Sequence, residues 1–257
     1  MAETSTDRAT ADFNPGAVLN GIASRNDAPP RKMPPTRTID ATALRADQTI
    51  FDDSFTVPAT ATFESCATAF ARGTLIATVM GPVAVEDLVP GDLVETHRGP
   101  QPVVWKGSTT YLPNFASDGT SLTHLLRLPG HGLEQSDLLL GPAARLVVRQ
   151  DRFADLLNCD AVLVPASDYA DGDRILRVTP PGPVELYHVA VRQHAIIRAN
   201  GHELESYHPG RMSEGEIGTS VRRMMQTMFR HLESLEDFGD LALPRTTRAV
   251  LDTLRVA

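Results

Sequence analysis

Short apolar runs separated by turn residues dominate the middle of the chain. Glycine and proline breakers stand between the runs, as at residues 80–82, 90–92 and 180–182. Many short strands with this spacing are typical of a compact all-β domain. The runs lie at residues 75–76, 83–85, 93–94, 103–105, 125–128, 138–140, 146–148, 161–164, 175–178, 184–191 and 195–199. The pattern therefore predicts an all-β domain over residues 61–210.

The first 60 residues have a different character. Prolines recur at Pro15, Pro29, Pro30, Pro34, Pro35 and Pro58, and alanine, threonine and aspartate fill much of the rest. No apolar period persists for a full helix, so burial would not offset the entropy of ordering this segment. We expect residues 1–60 to form a mostly disordered N-terminal arm, with short pieces around 50–51 and 55–57 as candidates to dock on the β domain.

The last part of the chain, residues 211–257, has a helical pattern. Ser213 and Glu216 fit a capping box, and Gly239 is placed to end the helix that follows. Pro244 suits the first turn of a second helix. The apolar stripes are Ile217, Val221, Met224, Met225, Met228, Leu232 and Leu235, then Val250, Leu251 and Leu254. The sequence predicts a small helical extension that packs on the β domain or on a second copy, or that binds a protein partner through residues 213–257.

Composition narrows the classes of function. The 257 residues include 24 basic and 32 acidic side chains, for a net charge of −8, which argues against a general nucleic-acid binder. There is no apolar run long enough for a membrane-spanning helix. The first residues lack the basic and apolar regions of a cleaved secretory signal, which leaves a cytoplasmic location and export by a signal-independent route both open. Cys66 and Cys159 are the only cysteines, which excludes a disulfide-rich scaffold and a cysteine zinc site.

Several segments of the β region follow one another in a characteristic order. Residues 69–78 read Ala-Phe-Ala-Arg-Gly-Thr-Leu-Ile-Ala-Thr, and Val-Glu-Asp-Leu at 85–88 and Pro-Gly-Asp at 90–92 follow. Leu-Tyr-His-Val-Ala-Val at 186–191, His194 and Ile-Arg-Ala-Asn-Gly at 197–201 come later. This order resembles a Hint domain, the module shared by inteins and Hedgehog autoprocessing regions, over about residues 66–210. The closing residues 205–210 are similar to a bacterial Hint subgroup. The resemblance implies a flat, horseshoe-like, all-β fold with two pseudo-symmetric halves.

The resemblance also implies a self-processing chemistry. In active members a Cys or Ser at the first residue of the module attacks the preceding carbonyl and converts an amide into a thioester or ester. A histidine in a Thr-x-x-His motif protonates the departing nitrogen, and the threonine or nearby amides support the oxyanion.

This chain departs from the family pattern at those positions. Ala69 stands at the nucleophile position, and the middle block reads Gly-Pro-Ala-Ala-Arg at residues 141–145. Gly141 therefore replaces the hydroxyl residue and Ala144 replaces the histidine, while His194 matches a later family histidine. No Asn followed by Cys, Ser or Thr closes the module, so splicing is not supported. We expect a catalytically degenerate Hint domain that acts as a binding or structural module and uses no cofactor or metal.

Two other uses of the same residues remain open. Cys66, three residues before Ala69, is an alternative nucleophile for an autocatalytic acyl shift near residues 66–69, with His194 polarising the peptide. An acyl shift requires close positioning, and a three-residue offset is expected to move the sulfur away from the carbonyl. The six-residue spacings of His188 with His194 and of His202 with His208 place each pair on one strand face. They would hold a metal only if the pairs converged, and a structural role is expected instead.

Overall fold

The apolar runs of the middle region form the strands of one open sheet. The computed structural model describes residues 35–113, 120–130, 136–151, 153, 159–210 and 218–253. Within them a 15-stranded sheet forms, and every strand pairing is antiparallel. The strands are β1 Thr36–Leu44, β2 Ile50–Pro58, β3 Phe70–Ala71, β4 Leu75–Thr78, β5 Gly81–Ala84, β6 Leu93–Val94, β7 Gln101–Tyr111, β8 Leu125–Leu128, β9 Leu138–Leu140, β10 Arg145–Arg149, β11 Ala161–Pro165, β12 Leu176–Val178, β13 Val184–Val191, β14 Ile196–Ala199 and β15 His202–Glu205. The predicted all-β fold is confirmed.

Two long strands form the centre of the sheet. β7 pairs with β13 from Tyr111 opposite Val184 to Val103 opposite Val191, with one irregularity near the end. On its other edge, β13 pairs with the short strand β3, which pairs in turn with β9. The residue before β3 is Ala69, so the central pairing carries the position where the sequence placed the family's nucleophile.

A β-hairpin precedes the Hint-like region, where a disordered arm was expected. β1 pairs with β2 along its whole length and also with β7, from Asp40 opposite Ser108 to Ala43 opposite Trp105. Ile39, Ala41 and Ala43 alternate inward and are buried. The prediction of disorder is therefore wrong for residues 36–58, because a period-two pattern of small apolar residues is enough when a neighbouring strand covers them. Residues 1–34 lie outside the described residues.

The short helix α1, Ala61–Glu64, links the hairpin to β3, and a buried carboxylate fixes its end. Arg37 Nε donates to Glu64 Oε1 at 2.8 Å, and the amide and hydroxyl of Ser121 donate to Oε2 at 2.7 Å. Burial alone would raise the pKa of Glu64, but these hydrogen bonds outweigh it and the pKa lies below its ordinary value. The buried anion thus joins the hairpin, α1 and residues 120–121.

The C-terminal segment is helical in three short pieces rather than two helices. α2 spans Thr219–Met228, a 3-10 turn spans Leu235–Phe238, and α3 spans Arg248–Thr253. The predicted helix through Leu235 stops near Phe229, and Gly239 ends the 3-10 turn with a φ of 74°. A capping box forms at Ser234 and Asp237. The predicted box at Ser213 and Glu216, and Leu254, lie outside the described residues.

The sequence predicted that Pro244 lies in the first turn of a helix, but Pro244 lies outside the helix in the structure. Its carbonyl accepts from the Leu163 amide at 2.8 Å, and the Thr246 amide donates back to the Leu163 carbonyl at 2.9 Å. The segment therefore runs beside β11 as a short parallel bridge, and α3 begins only at Arg248.

One buried cluster joins the N-terminal hairpin and the C-terminal helical segment to the sheet. Trp105 of β7 is fully buried, 4.7 Å from the Phe229 ring and 5.6 Å from the Tyr207 ring between ring centres. Met225 and Met228 of α2 lie in the same cluster as the hairpin residues. Two methionines of the predicted apolar stripe, Met225 and Met228, are thus buried within the chain, whereas Met224 is exposed. Among the described residues, no helix is long and apolar enough to cross a membrane.

Acid should destabilise the fold through a half-buried histidine beside this cluster, His231, whose ring nitrogens are buried. Neither ring nitrogen of His231 has a hydrogen-bond partner among the described residues, and burial lowers the pKa of His231 to about 4. The unfolded chain binds the proton near pH 6.5, so the stabilisation is present above that pH and lost as the pH falls towards 4. We expect His231→Leu to reduce the loss of unfolding free energy between pH 7 and pH 5 by about 1–2 kcal/mol in urea titrations. A pH dependence equal to that of the wild type would contradict this assignment.

Candidate functional site

The peptide between Thr68 and Ala69, where the resemblance places the family's reactive bond, is hydrogen-bonded on both sides. The Ala69 amide donates to the Tyr187 carbonyl at 3.0 Å, and the Thr68 carbonyl accepts from the Ala143 amide at 3.1 Å. The Ala69 carbonyl accepts from the Gly141 amide at 3.0 Å. Thr68 and Ala69 are both completely buried. The peptide is therefore a regular extension of β3, closed off from water.

Gly141 lies against that peptide so closely that no side chain fits. A Cβ built on Gly141 would stand 2.2 Å from the Thr68 carbonyl oxygen and 2.9 Å from its carbon. Both distances are shorter than any non-bonded contact that a real Cβ makes. The position where the resemblance places a hydroxyl residue thus adjoins the expected carbonyl, but the backbone itself occupies the space.

Ala144 is the third residue, after Ala69 and Gly141, at a position where the resemblance implies a reactive group. Its amide donates to the Gly141 carbonyl at 3.2 Å, and its buried methyl group lies in the same apolar cluster as Ala69. The structure thus brings Ala69, Gly141 and Ala144 together, as the resemblance implies. None of the three carries a group that can attack, protonate or donate from its side chain.

Cys66 and Thr68 are engaged elsewhere. The Cys66 thiol is completely buried and donates to the Phe63 carbonyl at 3.0 Å. Burial raises the pKa of the Cys66 thiol well above its ordinary range, which suppresses the reactive thiolate. The Thr68 hydroxyl donates to the Glu64 carbonyl at 2.9 Å. Both side chains are thus turned towards α1.

His194 is held by the C-terminal segment and by a buried carboxylate. Its Nδ1 accepts from the Ala242 amide at 2.8 Å, which assigns the ring proton to Nε2. Nε2 lies 3.0 Å from Glu205 Oε1, although the N–H does not point along that line. Arg245 Nε donates to the same oxygen at 2.8 Å. No hydrogen bond among the described residues links His194 with Cys66.

The electrostatic environment of Glu205 keeps it ionised. Burial alone would raise the pKa of Glu205, but the contacts with His194 and Arg245 outweigh it, and the pKa lies below its ordinary value. Arg145 Nε lies 3.5 Å from the other carboxylate oxygen. Glu205 is therefore an anion between two arginines that come from distant parts of the chain.

The histidines pair differently from what their spacing suggested. The rings of His194 and His208 lie 5.0 Å apart, whereas His188 Nδ1 donates to the Ser65 carbonyl and His202 Nε2 contacts the Pro129 carbonyl. The two pairs predicted from the six-residue spacing do not share a strand face, because His194 and His208 follow the ends of β13 and β15 and do not continue the strand alternation. Within the described ranges, no group of three or more His, Cys, Asp or Glu is placed to hold a metal ion.

A cavity of about 380 Å³ lies beside these residues. Its polar walls include Arg145, His188, Glu205, Tyr207, His208 and Arg245, and Ala143 borders both the cavity and the Thr68 carbonyl. Arg145, Tyr207 and Arg245 were not predicted from the sequence as site residues. Arg145 was visible as the last residue of the middle block, but Arg245 lies in the C-terminal segment and carried no signal.

The comparison of the sequence with known families decides the affiliation. The pattern that describes the Hint domain matches residues 68–211, which is more than half of the chain. The chain belongs to the Hint domain family. The match begins one residue before Ala69 and covers β3 to β15, so the hairpin and most of the C-terminal segment flank the Hint domain.

Solved structures with similarity to the chain are inteins and an intein-like domain. A splice-inactive variant of the AceL NrdHF class 3 split intein is 12% identical, covers 54% of this chain and 97% of its own, and has a TM-score of 0.39. The bacterial intein-like domain from Clostridium thermocellum is 19% identical, with coverages of 55% and 99% and a TM-score of 0.36. The gp41-1 intein is 12% identical, with coverages of 55% and 99% and a TM-score of 0.34. No curated protein sequence matches the chain.

The close approach of Gly141 predicts a specific sensitivity. We expect Gly141→Ala to lower the free energy of unfolding by about 2–3 kcal/mol in urea titrations, because the methyl group must displace the Thr68 carbonyl. Gly182→Ala is the matched control, since a Cβ there meets nothing within 4 Å. Equal stability of the two variants would show that the backbone of residues 141–144 is free to move away.

Proposed function

We propose that this Hint domain has lost self-processing and serves as a binding or structural module. The observation that carries the proposal is the closed contact between the Thr68 carbonyl and Gly141, next to a methyl group at the nucleophile position. Acyl transfer needs a nucleophile, a proton donor and an oxyanion site within reach of one carbonyl. The Ala143 amide already donates to the Thr68 carbonyl, but the side chains of Ala69, Gly141 and Ala144 supply neither a nucleophile nor a proton donor there.

The chain before the reactive position also supports a structural role. In a self-processing module the segment before the nucleophile is released or transferred. Here residues 40–43 of β1 pair with β7, β2 pairs with β1, and Phe63 of α1 is buried in the Trp105 cluster. This segment is part of the folded body, so a cut after Thr68 would divide the core rather than release a product.

The alternative is an autocatalytic cleavage near residues 66–69 driven by Cys66 with His194. It requires a thiolate, whereas the thiol of Cys66 is buried and its pKa is raised by burial. His194 would have to give up its contacts with Ala242 and Glu205 to take part.

Partner binding through residues 213–257 stays a second part of the proposal, although Met225 and Met228 already pack inside the chain.

Intact mass tests the proposal. The purified chain is incubated with and without dithiothreitol, and we expect the full-length mass in both samples because no nucleophile reaches the Thr68 carbonyl. A thiol-dependent break between Cys66 and Phe70 would contradict the proposal and favour the alternative.

Cys66→Ala separates the two interpretations further. Under the proposal the variant gives the same masses as the wild type in both samples. If the wild type breaks and this variant does not, the cysteine carries a surviving chemistry.

A further inference from the structure

The cavity beside the degenerate site has the size of a small-molecule site. Its volume of about 380 Å³ lies at the low end of the range of ligand pockets. Its walls come from α1, from residues 142–145, from β13, from the residues after β15 and from Arg245. Elements distant in the sequence thus converge on one polar space that self-processing does not use.

The charges of the wall favour an anion. Arg145 and Arg245 both approach Glu205, at 3.5 Å and 2.8 Å, so a single carboxylate faces two guanidinium groups. Burial lowers the pKa values of His188 and His208 to about 4, so neither adds or cancels charge near neutral pH. The Asp168 carboxylate also attracts Arg145, but it is not part of the cavity wall. The charged residues that line the cavity are two arginines and one carboxylate, so the wall itself carries an excess of positive charge.

A guanidinium donor of the wall lacks a hydrogen-bond partner. Arg145 Nε is buried and has no hydrogen bond among the described residues, since its contact with Glu205 is long. Buried donors of this kind are rare, and guanidinium groups bind carboxylates through paired N–H donors. A carboxylate in the cavity would satisfy this donor and balance the excess positive charge of the lining residues.

A second unpartnered group belongs to another residue of the cavity wall. His188 is almost completely buried, and its Nδ1 donates to the Ser65 carbonyl at 2.7 Å, which leaves a lone pair on Nε2. Nε2 has no hydrogen-bond partner among the described residues. A buried acceptor without a donor costs free energy, so a hydroxyl group is the complementary ligand group.

We propose that this cavity binds a small hydroxycarboxylate, with its carboxylate on Arg145 and Arg245 and its hydroxyl donating to His188 Nε2. The inference deepens the proposed function, because it treats the site as one that binds a ligand rather than one that reacts. The ligand class is defined by two groups that complement the wall, a carboxylate as the anion and a hydroxyl as the hydrogen-bond donor.

Three probes of nearly equal size test the two groups separately. The full chain, labelled with ¹⁵N, is titrated with lactate, propionate and lactamide, and binding is followed by NMR, including the imidazole nitrogens of His188. We expect lactate to bind, propionate to bind about 2–10-fold more weakly for the loss of one hydrogen bond, and lactamide not to bind. Binding of lactamide as tight as that of lactate would overturn the inference. So would the absence of binding of both lactate and propionate at tens of millimolar.

A pair of arginine variants locates the site. Arg145→Gln should weaken lactate binding at least about tenfold, because a charge-assisted contact is lost. Arg149 lies on the same strand, pairs with Glu203 and is outside the cavity. The lactate affinity of Arg149→Gln should therefore equal that of the wild type. Equal affinities of the two variants would overturn the placement. If Arg145→Gln does not fold, the three-probe comparison on the wild type decides alone.

The intact mass of the titrated samples separates the two proposals. A cleaved chain contradicts the loss of self-processing whatever the affinities are. A full-length chain without carboxylate binding contradicts only the ligand inference.

Discussion

The contact between the Thr68 carbonyl and the Cα of Gly141 is the constraint on which the site depends. It fixes residues 141–144 against β3, so that the amides of Gly141 and Ala143 can hydrogen-bond the peptides on either side of Ala69. The same approach brings the methyl groups of Ala69 and Ala144 into one apolar cluster. A larger residue at 141 would open this packing, so Ala69, Gly141 and Ala144 are mutually consistent and together form an ordinary piece of core.

A second close contact ties the flanking segments to the Hint domain. The ring of Trp105 lies over Gly107, where a Cβ would be 2.1 Å from the ring and 2.8 Å from the Cys66 carbonyl. The ring is then covered by the hairpin and by Phe229 after α2. The segments before and after the Hint domain therefore share one core on this side of the sheet. This explains physically why Cys66 is inaccessible, since it lies beneath both of them.

The sequence predicted those parts of the fold in which local pattern and burial agree. Apolar runs bounded by Gly and Pro indicated β4 to β14, and the family resemblance placed Ala69, Gly141 and Ala144 at one site, where the structure brings them together. The hairpin was missed because two of the three inward residues of β1, Ala41 and Ala43, are alanines, which add little to an apolar pattern until β7 covers them. The long helix was overestimated because its stripe continues through Leu235, although the chain turns after Met228 to bring Phe229 onto Trp105. The arginine pair at Glu205 had no sequence signal, because Arg145 and Arg245 meet only through the bridge between Pro244 and Leu163.

Native-state hydrogen exchange of the Ala69 amide tests the central claim most directly. If the peptide at the family's reactive position is a closed part of the core, this amide, bonded to the Tyr187 carbonyl, exchanges only through global unfolding, together with its neighbours in β3. The free energy from its exchange rate should then equal the free energy of unfolding measured with denaturant. Rapid exchange of Ala69 through local opening, with Phe70 and Tyr187 still protected, would contradict the account, because the bond would then be accessible as it must be in a self-processing site.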